Sequence, residues 1–249
     1  MKVISFLNIK GGVAKTISSV NVAAELGRQG YKVLLIDSDP QSNATKYLGL
    51  SYPNLQGYYE LLSGEDIGIS ITKYTGVWII PANINLIASE EEMLKDEENK
   101  RTILKDWLNN HDSQFDYVII DCPPSLGMLS TNALVASDYV LVPIKISQFA
   151  LDGFKYLYRT IEVIREDLNK NLELLGIFIT MDRSTKINRE IKQEIKKELG
   201  NLLFKQTIRE NVDVTKSTFE STPVVYLNKK CNAAKDYKAF VEELKCRII

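Results

Sequence analysis

Histidine occurs once, at His111, and cysteine three times, at Cys122, Cys231 and Cys246. A single imidazole leaves no raw material for a histidine-based metal centre or a Ser-His-Asp triad. The cysteines are odd in number and lack C-x-x-C spacing, which suits reduced thiols in a cytosol and offers no metal cluster. No apolar run approaches the roughly 20 residues that a membrane-crossing helix needs. The N-terminal apolar stretch is short and broken by Asn8 and Lys10, so no signal peptide is expected. Repeats, low-complexity tracts and linkers are also missing, and a single domain over residues 1–249 is expected. Excess charge is lacking too. Lys and Arg number 31 against 32 Asp and Glu, a net of −1, which excludes a bulk polycation. The balance is uneven, however. Residues 183–249 carry 15 Lys/Arg and 9 Asp/Glu, whereas residues 1–182 carry 16 and 23. An acidic body with a basic C-terminal third points to a polyanionic partner.

What the chain does hold begins with Asn8-Ile9-Lys10-Gly11-Gly12-Val13-Ala14-Lys15-Thr16. The β-branched and aromatic run at 1–7 reads as a buried strand. Residues 17–29 place Val20, Ala23, Ala24 and Leu26 at helical spacing, with Gly30 as a C-cap. A strand, a glycine-bearing turn and a helix opening on Lys-Thr make a phosphate cradle, because free backbone N–H groups and the helix dipole face an anion. Lys15 is expected on the β/γ-phosphates and the Thr16 hydroxyl on Mg²⁺. The strict pattern G-x-x-x-x-G-K-[ST] is not met, since Ile9 and Ala14 occupy its glycine positions. The stretch fits K-G-G-x-G-K-[ST] with one substitution and an added lysine, Lys10. The competing reading is a tight strand-to-helix turn without a ligand.

Further along, strands are expected at 33–36, 77–81, 117–120, 139–142 and 174–180, and short helical pieces within 47–64. Helices are expected at 89–109, 151–168, 187–199 and 231–247. In the first of these, the run Glu90-Glu91-Glu92 and Asp96-Glu97-Glu98 reads as a solvated face. Strands apolar throughout, alternating with helices, mean an α/β fold: a mostly parallel twisted sheet with helices on both faces. In such a sheet ligands lie beyond the C-terminal strand ends. Asp37 and Asp39 follow the second strand, and Asp121 follows Val118-Ile119-Ile120. Asp121 is placed as a Mg²⁺-shell aspartate, Asp37 beside it, and Asp39 to orient or deprotonate an attacking water. A single aspartate at a strand end reads equally as a turn or cap.

Lys10-Gly11-Gly12-Val13-Ala14-Lys15-Thr16, Asp37-Ser38-Asp39-Pro40-Gln41-Ser42-Asn43-Ala44-Thr45 and Ile120-Asp121-Cys122-Pro123-Pro124-Ser125-Leu126-Gly127 resemble the ParA family of deviant-Walker partition ATPases, to which MinD is related. Val142-Pro143-Ile144, Phe149-Ala150-Leu151-Asp152-Gly153 and, more loosely, residues 227–237 resemble later segments of that family. The resemblance implies a phosphate-loop fold that binds ATP with Mg²⁺ and closes into a homodimer. It implies nucleotide contacts through Lys10, Gly11, Gly12, Val13, Ala14, Lys15, Thr16 and Ile17, with Lys10 crossing to the partner's phosphates. It further implies binding of DNA without sequence preference, and hydrolysis stimulated by a ParB-like centromere-binding partner. The expected setting is the cytoplasm, at the nucleoid, without stable membrane association. The chain starting at its first strand resembles the small, Soj-like members without an N-terminal helix-turn-helix.

Departures from the family pattern fall at Ala14, at Ile17, at Arg209-Glu210-Asn211-Val212 where the family has Pro-Arg-Asn-Val, and at Asn232. Positive φ at residue 14 would cost an alanine about 1–2 kcal/mol. A substitute basic surface is legible in periodicity. Ile187, Ile191, Ile195 and Leu199 are expected to be buried, with Lys186, Arg189, Lys192 and Lys196 along another face. Lys197, Lys229 and Lys230 extend it. Phosphate contact and a solvated face paired with Glu190, Glu194 and Glu198 are both open readings. Two rivals stand beside partition: a MinD-like membrane-cycling ATPase using Phe240, Val241, Leu244, Ile248 and Ile249, and a nucleotide switch with little hydrolysis.

Overall fold

The structure, a computed structural model, describes residues 1–50, 56–147 and 150–248. The helical reading at 51–55, and the readings on Phe149 and Ile249, lie outside the described residues. In chain order come β1 (Lys2–Phe6), α1 (Lys15–Arg28), β2 (Val33–Asp37), α2 (Asn43–Tyr47), α3 (Tyr58–Leu62), β3 (Ser70–Ile71) and β4 (Val77–Ile80). Then follow α4 (Leu86–Met93), α5 (Glu97–Lys100), α6 (Ile103–Asn109), β5 (Tyr117–Asp121), α7 (Met128–Ala136), β6 (Tyr139–Lys145) and α8 (Ala150–Asp167). The last elements are β7 (Glu173–Thr180), α9 (Lys186–Leu199), α10 (Val212–Phe219), α11 (Val224–Leu227) and α12 (Asn232–Arg247).

The strands form one seven-stranded sheet in the order β3-β4-β2-β5-β1-β6-β7. All pairs are parallel except β3 with β4, which run antiparallel at one edge. The central strands are apolar because both of their faces are covered. Val118 and Ile120 of β5 point into one core with Leu34 and Ile36, and Ile119 points into the other with Val33 and Leu35. The period-2 alternation of a strand thus sorts its residues between two helical layers. One layer is built on α3, α4, α6, α7 and α8, the other on α1, α2, α11 and α12. Register sets Asp37 directly beside Asp121 at the C-terminal strand ends.

Helix α1 is packed tightly at its far end. Near its C-terminus, a Cβ on Gly27 would stand 2.5 Å from the Thr75 carbonyl, and one on Gly76 would stand 2.6 Å from the Tyr31 carbonyl. Only glycines allow that backbone approach.

Two sequence expectations are corrected and one unexpected helix is added. Residues 89–109 form parts of three short helices, α4, α5 and α6, rather than one. Met93, Leu104 and Leu108 are buried, and turning the chain twice brings all three to the core. Helix α7, not anticipated, is buried on nearly every side, so it lacks the apolar–polar period that marks a surface helix. On α9, Ile187 is 58% exposed and not part of a buried stripe, because the helix meets the core only from Ile191 through Ile195 to Leu199.

Candidate nucleotide site

The loop between β1 and α1 is shaped by its backbone. Gly12 and Ala14 both take left-handed conformations, with φ of 71° and 62°. Alanine there carries a Cβ that the conformation disfavours, as expected from the missing glycine. Asn8 anchors the loop entry: its Nδ2 donates to the Pro143 carbonyl at 2.7 Å, and its Oδ1 accepts from the Lys10 N–H at 2.9 Å. The N-terminus of α1 has no side-chain cap and no acidic residue in its first turn, so its donors are open to an anion.

Lys15 opens α1 and is buried, with Nζ 3.4 Å from the Lys10 carbonyl. Burial lowers its pKa, and Asp121, Cys122 and Asp39 pull it back up. Lys10 points elsewhere. Its Nζ donates to Ser147 Oγ at 3.1 Å, outside the cleft that the loop borders.

The carboxylates differ in their partners. Asp37 accepts from the Thr45 hydroxyl at 2.7 Å, the Thr45 N–H at 2.8 Å and the Asp39 N–H at 3.2 Å. Asp39 forms an Asx-type turn with the Gln41 N–H at 2.9 Å. Asp121 is fully buried, and both its oxygens lack a hydrogen-bond partner among the described residues. Burial pushes its pKa well up, and Asp37 at its side adds to the rise. Hydroxyls of Thr16 and Ser19 oppose the shift, although Ser19 Oγ is committed to the Thr16 carbonyl at 3.0 Å. An orphaned buried carboxylate beside a hydroxyl is a fit for a cation, because charge there has nothing else to satisfy it.

Above these groups opens a cleft of about 550 Å³, lined by Gly11, Gly12, Ala14, Lys15, Thr16 and Ile17 on the loop side and by Asp39 on the β2 side. Val13 is buried beneath, as are Asp37 and Asp121. The far wall comes from Met181, Thr218 and Ser221, which sequence reasoning missed. A second chamber of about 240 Å³ shares Ala14, Ile17, Met181 and Thr218 with the first and adds Asn211 and Tyr237. No local motif announces that wall, since tertiary packing alone carries α10 to the phosphate loop. Only the segment Arg209-Glu210-Asn211-Val212 carries a signal in sequence, as a departure from the family pattern. Here Arg209 pairs with Asp236 through bonds of 2.6–3.2 Å, and Glu210 pairs with Arg183.

The basic face is a mixed outcome. Arg189, Lys196, Lys197, Lys229 and Lys230 are exposed. Lys186 is exposed and lies 3.9 Å from Glu190, the i,i+4 pair of a solvated face. Lys192 is partly exposed and has a partner: its ammonium is held 2.6 Å from Asp182, which also takes the Thr207 hydroxyl. Helix α12 packs on the sheet and does not present the apolar face that the membrane-cycling rival would need. Phe240, Val241 and Leu244 are fully buried against the sheet, and no helix among the described residues is long and apolar enough to cross a membrane.

A mostly parallel sheet with a glycine-bearing loop, a lysine at the following helix start and aspartates on neighbouring strand tips defines a phosphate-loop nucleotide-binding protein. A family model described as an AAA domain matches residues 1–174. The sporulation initiation inhibitor protein Soj of Bacillus subtilis is 36% identical over 248 residues, covering 98% of both chains. The chromosome-partitioning ATPase Soj of Treponema pallidum is 35% identical over 252 residues, covering 99% of this chain and 98% of that one. This chain belongs to the Soj/ParA family of chromosome-partitioning ATPases. Among solved structures, cobyrinic acid a,c-diamide synthase from Mycobacterium smegmatis, with bound ADP and magnesium, is 32% identical with a TM-score of 0.85, covering 98% of this chain and 94% of that one. Septum site-determining protein MinD from Pyrococcus horikoshii, complexed with Mg-ADP, shares the fold at 21% identity and a TM-score of 0.81, covering 98% and 95%.

Proposed function

We infer that this chain is a DNA-partition ATPase whose Mg-ATP state closes a homodimer on DNA and whose slow hydrolysis opens it. The observation that carries the nucleotide assignment is the unpaired, fully buried Asp121 carboxylate lying with Lys15 and Thr16 under a 550 Å³ cleft. The ADP and magnesium of the mycobacterial relative support it. Thr16 and Asp121 would hold Mg²⁺, with the charge of Asp37 alongside. Bound there, the ion would neutralise charge on the β- and γ-phosphates. The loop residues from Lys10 to Ile17 bind the phosphates through backbone donors, and Lys15 supplies the balancing cation. Asp39 accepts a proton from, or orients, the attacking water at its carboxylate. Its fixed turn holds that carboxylate at the cleft edge. The 240 Å³ chamber beside Asn211 takes the base.

Lys10 acts across the dimer. Its side chain lies outside its own cleft on Ser147, a single neutral hydrogen bond that a partner's phosphates would outcompete. Non-specific DNA contacts come from Arg189, Lys196, Lys197, Lys229 and Lys230, with Lys186 at the edge. A ParB-like protein stimulates turnover, and the setting is the cytoplasm at the nucleoid.

The test measures DNA retention across a salt series with ATP, ADP or no nucleotide, paired with sizing of the protein. Retention and a dimer only with ATP, both lost in Lys10→Ala, are expected. Equal retention in all three nucleotide states would reject the switch. Liposome flotation with and without ATP, expected to be negative, separates the MinD-like rival.

A further inference from the structure

Strand β7 ends on Thr180, which lines the second chamber and is followed by Met181 at the junction of the two. Thr180 is fully buried. Its hydroxyl stands 3.0 Å from the Val13 carbonyl and 3.2 Å from the Ile144 carbonyl. One proton faces two acceptors, so the bond is shared between the phosphate loop and β6. Val13 lies between the two left-handed residues Gly12 and Ala14, where the loop backbone has no regular structure to hold it. Immediately after Thr180 the chain turns left-handed at Met181, with φ of 50° on a residue that carries a Cβ. Met181 lines both chambers. Asp182 then donates its N–H to the Ile208 carbonyl at 3.0 Å and accepts from the Glu210 N–H at 3.1 Å, which carries Asn211 to the second chamber.

We propose that Thr180 is a positioning residue for the nucleotide: its hydroxyl ties the phosphate loop to the β7 end, whose turn at Met181 seats the far wall. This rests on the nucleotide reading of the cleft. Thr180 touches no reacting atom, so it acts on binding rather than on the chemical step. Removing the hydroxyl leaves the Val13 carbonyl without its side-chain donor, and the loop N–H groups then lose their common focus.

The experiment titrates Mg-ATP and Mg-ADP into wild type and T180V, with phosphate release measured on the same preparations. T180V is expected to weaken both nucleotides roughly tenfold, the effect of losing one such bond. KM should rise while kcat stays within about twofold, since a purely binding role leaves the chemical step alone. T180S and T180A both lack the methyl and differ by the hydroxyl alone, so they keep the test valid should T180V misfold. T180S is expected to bind within about threefold of wild type and T180A to match T180V. Equal binding by T180S and T180A, or a fall in kcat with KM unchanged, would overturn the proposal. Wild type that binds neither nucleotide would reject the cleft assignment itself and this proposal with it.

Discussion

The phosphate end of the sheet and the basic face of α9 are built on opposite terms. At the sheet end, charge is buried: Lys15, Asp37, Asp39 and Asp121 are all nearly or fully closed to solvent. Each is fixed by backbone, by a turn or by register, and one carboxylate is left with nothing to accept from. On α9 the charges stand in water on flexible stems, and one of them, Lys192, is paired with Asp182 at the surface. A buried constellation discriminates a ligand by geometry, so one missing group costs much. A solvated face recognises a polyanion by summed field, so each single charge matters little.

The comparison can be broken most severely at Asp39. Asp39→Ala should cut phosphate release by about 10²–10⁴-fold while Mg-ATP affinity stays within a few-fold, the signature of a proton-handling group. Single-turnover kinetics with radiolabelled ATP would check this. Lys15→Met comes next, with nucleotide affinity falling by about 10–100-fold, as for a hydrogen bond from a charged group, read by calorimetric titration.

Proton linkage at Asp121 follows. Its folded pKa is raised above the ordinary 3.8, so the folded nucleotide-free protein binds the proton more tightly than the unfolded chain. That contribution is complete below about pH 4 and is lost as pH rises through neutrality towards the folded value. Denaturant midpoints without Mg²⁺ should therefore fall over that range. Mg-ATP binding should release protons near neutrality, seen as buffer-dependent heats, because a cation requires the ionised carboxylate. Heats independent of the buffer would erase the contrast drawn above.

Smaller still is the change on α9. Lys196→Ala with Lys197→Ala should lower the slope of DNA affinity against salt by up to about 2, without altering nucleotide binding. The smallest change is at Ala14. Ala14→Gly relieves the left-handed strain and should stabilise the protein by about 1 kcal/mol, a melting shift of roughly 2–4 °C.

How much of this was legible followed the same divide. Strands β1, β2 and β5 announce themselves as unbroken apolar runs, and their exit residues Lys15, Asp37, Asp39 and Asp121 come with them. Local sequence fixes local geometry there. Helix α7 was hidden because Met128–Ala136 is buried on nearly every side, its polar Ser130 and Asn132 included, which erases the apolar–polar period. The charged stretch at 89–109 carried a helical pattern but no sign of where tertiary packing would interrupt it. The far wall of the cleft, Met181, Thr218 and Ser221, lies more than 160 residues beyond the phosphate loop in sequence. Nothing local marks those three residues as neighbours of Ala14. On α9 the sequence carries a helical period, yet the exposure of Ile187 and the pairing of Lys192 depend on what faces the helix.

The contact between Gly27 and Gly76 gives the molecule a remote handle. Helix α1 is a stiff rod running from Lys15 to Arg28, with the phosphate loop at one tip and the glycine pair near the other. A methyl group on Gly27, roughly 18 Å from Lys15 at 1.5 Å per residue, would wedge the rod away from the turn before β4. The tip that grips phosphate would swing with it. Alteration of a small residue on the opposite rim, remote from the nucleotide cleft, would thereby detune the grip.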